Sequence, residues 1–117
     1  MTTVQTTILP DSALDDAFVV LSHERRRTVL RCLRSADRPV ALADLARDVV
    51  ARERETDARD VPEEAVEQCY VRLYHVHLPK LAEAGYLRYD VDRATVASTT
   101  EADSLTPLLE WAAERTG

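Results

Sequence analysis

The chain has little glycine: two residues in 117, of which Gly85 is isolated and Gly117 is the last. A phosphate-cradling loop needs several close glycines, so that class of nucleotide site is excluded. Cysteine is equally sparse. Cys32 and Cys69 each sit in an apolar stretch, which suits small core residues in a reducing compartment rather than a disulfide framework. Two thiols alone also fall short of the four ligands a structural zinc wants. No apolar run approaches the roughly 18 residues of a membrane span. The opening MTTVQTTILP has neither a basic start nor an apolar stretch, so a secretion signal is not expected and a cytoplasmic protein is. No nucleophile stands near a base in any recognisable arrangement, so neither an enzyme nor a cofactor is expected. A chain of this length suits one domain with a real core.

Lysine is nearly missing too. Of 15 basic residues only Lys80 is Lys, and 21 acidic residues bring the net charge to −6. This acid-rich, lysine-poor usage is similar to that of cytosolic proteins of salt-loving archaea, where dense surface carboxylates maintain solubility. The plainer alternative is an ordinary acidic domain. Net charge alone speaks against nucleic acid as a partner. The positives are uneven, however: they gather in Arg25–Arg34, at Arg72 with Lys80, and around Arg88 and Arg93. In multimolar salt the counterion-release contribution to DNA affinity would be small anyway, which leaves groove fit and base contacts to decide.

Residues 1–11 show no period and read as a flexible tail, and 12–117 as a single domain. Ser12 and Ser22 are both candidate helix caps. The apolar positions Leu14, Ala17, Phe18 and Leu21, then Val29, Leu30 and Leu33, carry a helical period through 13–34, as one bent helix or two. Leu42, Leu45, Ala46 and Val49 predict a second helix ending near Glu53. The charged stretch 54–61 reads as a mobile loop. Pro62, Glu63 and Glu64 suit the start of a long third helix, 62–84, which Gly85 terminates. Pro79 lies inside that helix and should bend or interrupt it. The period then changes to that of a hairpin over 86–99, turning at Asp90–Arg93. Leu105, Leu108 and Leu109 mark a final helix over about 103–115.

Three helices, a hairpin and a closing helix make a mainly α domain with a small β-hairpin, an α+β class. This is the layout of a winged helix-turn-helix with extra N- and C-terminal helices, in which the third helix reads the major groove and the hairpin is the wing. Three segments resemble ArsR-type winged-helix repressors: LSHERRRTVLRCL at Leu21–Leu33, LADLAR at Leu42–Arg47, and HLPKLAEAGYLRYD at His77–Asp90. Together they span about 80 residues in the right order, and with the composition they look most like haloarchaeal members of that group. The resemblance implies a sequence-specific DNA-binding transcriptional regulator, usually a homodimer. It also implies that Arg26 makes a structural bond at a helix junction and that His77 is a packed or capping residue. The chain departs from the pattern in Pro79, in a longer loop before the third helix, and in lacking the metal-sensing cysteine pair.

The candidate DNA-binding residues follow from the helical wheel. Val66, Cys69, Tyr70 and Leu73 form one apolar run, and Val71, Tyr74, Leu78 and Leu81 a second. What remains is the strip Glu64, Gln68, Arg72 and His75, with Lys80 off its end. Gln suits adenine, Arg suits guanine, and the cations also reach phosphate. On the wing, Arg88 and Arg93 suit phosphate or a narrow minor groove. The competing readings are a solvated helix face and surface pairing of the wing arginines with Asp90 or Asp92. One member of the cluster Arg25, Arg26, Arg27 and Arg31 is also a candidate phosphate contact. His75 and His77, two apart, face different ways and do not suit one metal ion. Leu14, Phe18, Leu105, Leu108 and Trp111 are the expected homodimer interface, the alternative being that both end helices only cap the core. A protein-interaction module is the rival to DNA binding, favoured by the charge of −6. No effector ligand is legible.

Overall fold

A computed structural model describes residues 17–116, and the side chains of 17–114. The expected tail, the Ser12 cap and Leu14 lie outside the described residues. A helical segment, α1, runs over the described positions 17–21, followed by a break at 22–23. Of the two alternatives left open for 13–34, the described residues show two helices. The break is capped by His23, not Ser22: His23 has an extended backbone, and its Nδ1 accepts the Arg25 N–H at 3.3 Å. Helix α2, Glu24–Arg34, then has an acid in its first turn and Arg31 and Arg34 in its last, matching the helix dipole. Strand β1, Val40–Ala41, leads directly into helix α3, Leu42–Arg54. Leu42, Leu45, Ala46, Val49 and Val50 bury one face of α3. It ends on Glu55, held left-handed at φ 52°, with the Thr56 N–H reaching back to the Ala51 carbonyl at 2.9 Å.

The stretch expected as a mobile loop is tied down. Asp57 caps a 3-10 turn, Ala58–Asp60, by accepting the Arg59 N–H at 3.0 Å. Arg47 donates to the Val61 carbonyl at 3.4 Å and pairs with Glu63. Charge density alone concealed these local bonds.

The long third helix has three parts: α4, Glu63–Arg72; a π turn, Leu73–His77; and α5, Leu78–Glu83. Pro79 is the cause. It has no N–H to offer the His75 carbonyl, and its ring crowds that carbonyl. The Leu78 N–H instead reaches five residues back to the Leu73 carbonyl, so the chain gains a residue in one wide turn and continues without a break. Gly85, at φ 88°, ends the helix, with the Tyr86 N–H bonded to the Leu81 carbonyl at 3.0 Å.

Strands β2, Leu87–Asp90, and β3, Thr95–Ser98, form the expected hairpin, and β1 joins it in the antiparallel order β1-β3-β2. The third strand went unforeseen because two residues after Pro39 carry no readable period. Its register, Val40 against Val96 and Ala41 against Thr95, ties the start of α3 to the hairpin. Thr99 Oγ1 donates to the Gly85 carbonyl at 2.6 Å, closing the hairpin base. A 3-10 turn, Thr100–Leu105, leads into helix α6, Thr106–Thr116. The core is aliphatic: Leu33, Leu42, Leu45, Leu73, Leu78, Leu81, Leu105 and Leu109 are each almost fully buried, and each such side chain contributes about 2 kcal/mol. The architecture is mainly helical with a small three-stranded antiparallel sheet. Among the described residues no helix is long and apolar enough to cross a membrane.

Candidate functional site

The arginine cluster on α2 uses its donors within the chain. Arg25 grips Glu53 of α3 with Nε and Nη2, both at 2.7 Å. Arg26, only 9% exposed, donates from Nε to the Val20 carbonyl at 2.6 Å and from Nη2 to Val19 at 3.3 Å. Arg27 donates from Nη1 to the Leu21 carbonyl at 2.6 Å, and Arg31 from Nη2 to the Leu109 carbonyl at 2.8 Å. These four side chains fasten α1, α3 and α6 to α2. Arg26 makes a bond at the helix junction, as the resemblance implied.

Gln68, Arg72 and His75 are exposed along α4 and the π turn, together with Glu64. Gln68 and Arg72 line an open groove of about 590 Å³ with Arg25, Glu53 and Arg54, and the buried Cys69 is at its wall. Burial pushes the Cys69 thiol up to about 11, which keeps it protonated and inert at neutral pH. The apolar face of the helix is narrower than the wheel suggested. Val71 and Tyr74 are 53% and 41% exposed and belong to the strip rather than to the core. The wide turn ahead of Pro79 shifts the helical phase, and Pro79 itself was the signal that could have warned of it.

Tyr74 links the strip to the hairpin. Its ring meets His75 at 4.9 Å between centroids and Tyr89 of β2 at 5.9 Å, both edge-on. Tyr70 packs against the core beside them. Burial and the neighbouring Tyr70 and Tyr74 raise the Tyr89 pKa. Arg88 precedes Tyr89 and lines a surface cleft with Tyr89, Arg93 and Pro39. Arg93 lies 4.0 Å from Asp90 and is well exposed, a pair worth little. Lys80 stands apart, in a shallow cleft with Val19, Val20 and Glu83. The structure thus brings Gln68 and Arg72 together, joins His75 to the hairpin through Tyr74, and separates Lys80 from both.

His77 is buried, as the resemblance implied, at 1% exposure. Its Nδ1 has no hydrogen-bond partner, and burial, with His23, Arg26, Arg25 and Arg72 nearby, pushes its pKa down to about 4. Burial and the same arginines lower His23 as well. No cluster of three or more metal-ligating side chains occurs among the described residues.

A family model described as a domain of unknown function (DUF7344) matches residues 18–97. The chain belongs to the DUF7344 family. The match takes in α2, all of the third-helix assembly and the hairpin as far as Ala97, and stops before α6. All six candidate DNA-contact residues therefore lie inside the DUF7344 domain, while Leu105, Leu108 and Trp111 lie beyond its end. No curated protein and no solved structure matches the chain.

The expected dimer interface is altered. Leu105 is fully buried within one chain and Leu108 is half-buried. A residue already at the core has no surface to give a partner, so Leu105 is corrected to a core position. Of the expected interface residues that are described, Phe18 and Trp111 are each about half exposed.

Proposed function

We propose that the chain is a sequence-specific, double-stranded-DNA-binding transcriptional regulator of the winged-helix type. Helices α4 and α5 with the π turn between them form the recognition helix, and β2–β3 form the wing. The observation that carries the reading is the His75–Tyr74–Tyr89 contact chain, which couples the exposed strip Gln68–Arg72–His75 to the hairpin bearing Arg88 and Arg93. Gln68, Arg72 and His75 read base edges, and Arg88 and Arg93 hold the backbone or minor groove. Lys80 is at most a peripheral phosphate contact. Pairing of two copies along the outer faces of α1 and α6 would set two recognition helices one DNA turn apart.

Selection from a random duplex library, followed by anisotropy from dilute to multimolar salt, tests the reading. Arg72→Ala is expected to weaken the selected site about tenfold and to relax its sequence preference. Arg88→Ala weakens all duplexes alike. With Arg25, Arg26, Arg27 and Arg31 bonded internally, the salt dependence is expected to be shallow. A library that yields no enriched sequence at any salt rejects DNA binding. The exposed Val71 and Tyr74 beside the acidic Glu63, Glu64 and Glu67 favour the second reading, a protein-docking module.

A further inference from the structure

The open groove of about 590 Å³ beside the strip has two lips. One is the end of α3, with Val50, Glu53 and Arg54; the other is α4, with Gln68 and Arg72. Arg25 of α2 lines it as well.

The three guanidiniums of this groove are not equivalent. Arg25 gives Nε and Nη2 to the two carboxylate oxygens of Glu53, at 2.7 Å each. Arg54 and Arg72 are exposed, and the side chain of neither makes a hydrogen bond or an ion pair with another described residue. The fork on Glu53 is what leaves them free, because a carboxylate gripped on both oxygens has little left for a further cation. Glu67 is the other acid at the groove, so three cations there meet two carboxylates. A chain of net charge −6 thus carries a local positive excess next to Gln68, Arg72 and His75. The groove walls include the apolar Val50, Ala65 and Cys69. A concave site with cations on both lips and low-dielectric walls concentrates its field on an entering anion more than a flat surface does.

We infer that Arg54 is a further DNA contact, which holds the backbone phosphate flanking the base pairs read by Gln68 and Arg72. This rests on the DNA-binding reading and adds to it a contact from α3. With α4 in the major groove, the lip formed by α3 lies over the strand that borders that groove. A phosphate contact fixes register and carries no sequence information of its own. Arg54 therefore positions the strip, and Gln68 and Arg72 choose the sequence.

The selected duplex and an unrelated duplex are titrated by anisotropy with the full-length wild type, Arg54→Ala, Arg54→Lys and Arg34→Ala at a series of salt concentrations. Arg54→Ala is expected to weaken both duplexes severalfold and by the same factor. It should also flatten the plot of log affinity against log salt by about 0.9, the value of one phosphate contact. Arg54→Lys keeps the cation and should keep the slope. Arg34 is exposed on α2 and does not line the groove, so Arg34→Ala should behave as wild type and separates a contact from a general loss of positive charge. The Arg54 side chain is exposed and unbonded, so its variants should melt with the wild type by circular dichroism. A wild-type slope in Arg54→Ala overturns the inference and leaves the DNA reading standing. So does an equal change in Arg34→Ala. A loss of sequence preference in Arg54→Ala at unchanged slope makes Arg54 a base reader and also overturns it. A wild type that binds no duplex at any salt removes the DNA reading and this contact together.

Discussion

The imidazole of His23, capping α2, meets the imidazole of His77 in the π turn edge-on, with centroids 4.4 Å apart. This contact joins the first core helix to the middle of the third-helix assembly. Each ring is useful only while neutral. A charged His23 could no longer accept the Arg25 N–H, and a charged His77 would be buried among Arg25, Arg26 and Arg72.

That arrangement predicts a pH-dependent stability. The ordinary histidine value is 6.5, and His77 is pushed down to about 4 in the fold. The unfolded chain therefore takes up the proton first. The contribution of neutral His77 is complete above pH 6.5 and is lost as pH falls towards 4, to a limit of about 3 kcal/mol. Urea unfolding at a series of pH values, wild type against His77→Phe, isolates it from the carboxylates. The difference between the two curves should be flat above 6.5 and shrink below. Parallel curves throughout would reject the assignment.

Arg26 should matter for folding rather than for binding. It is buried and donates to both Val19 and Val20 carbonyls. Arg26→Met leaves the Val20 carbonyl unpaired and should cost about 2–3 kcal/mol. Hydrogen exchange should show the amides of α1 opening before those of α3. A variant as stable as the wild type would mean that the junction is held by apolar packing alone.

Tyr74 should behave differently from Val71, although both are exposed. Only Tyr74 makes an aromatic contact with the hairpin. Tyr74→Ala should lower stability by about 1 kcal/mol and speed amide exchange in β2. Val71→Ala should leave both measurements unchanged. Equal effects from the two substitutions would show that Tyr89 is positioned by the sheet, not by the helix.

The legible parts of the fold were those written in local period and in special backbone chemistry. Leucines three and four apart gave α2 and α3, Pro62 and Gly85 bounded the third helix, and the switch to alternation gave β2 and β3. Strand β1 was not legible, because a two-residue strand exists only through its pairing with β3. The cap at His23 was missed in favour of Ser22, since hydroxyl side chains are the commoner caps. For the candidate site, exposure of Gln68, Arg72 and His75 followed from the wheel. The exposure of Tyr74 and the isolation of Lys80 did not.

The sequence by itself determined which segments are helical, where Pro79 and Gly85 act, and that cations gather on α2, the third helix and the hairpin. Those properties depend on neighbours within a few residues. Only the tertiary structure decided how the cations are used. Arg25, Arg26, Arg27 and Arg31 of α2 turn inward to carbonyls of Val19, Val20, Leu21 and Leu109 and to Glu53, whereas Arg34, Arg88 and Arg93 stay in solvent. The acceptors that distinguish the two groups come from the helix junction and from helices as distant as α3 and α6, and a buried guanidinium persists only where such acceptors meet it.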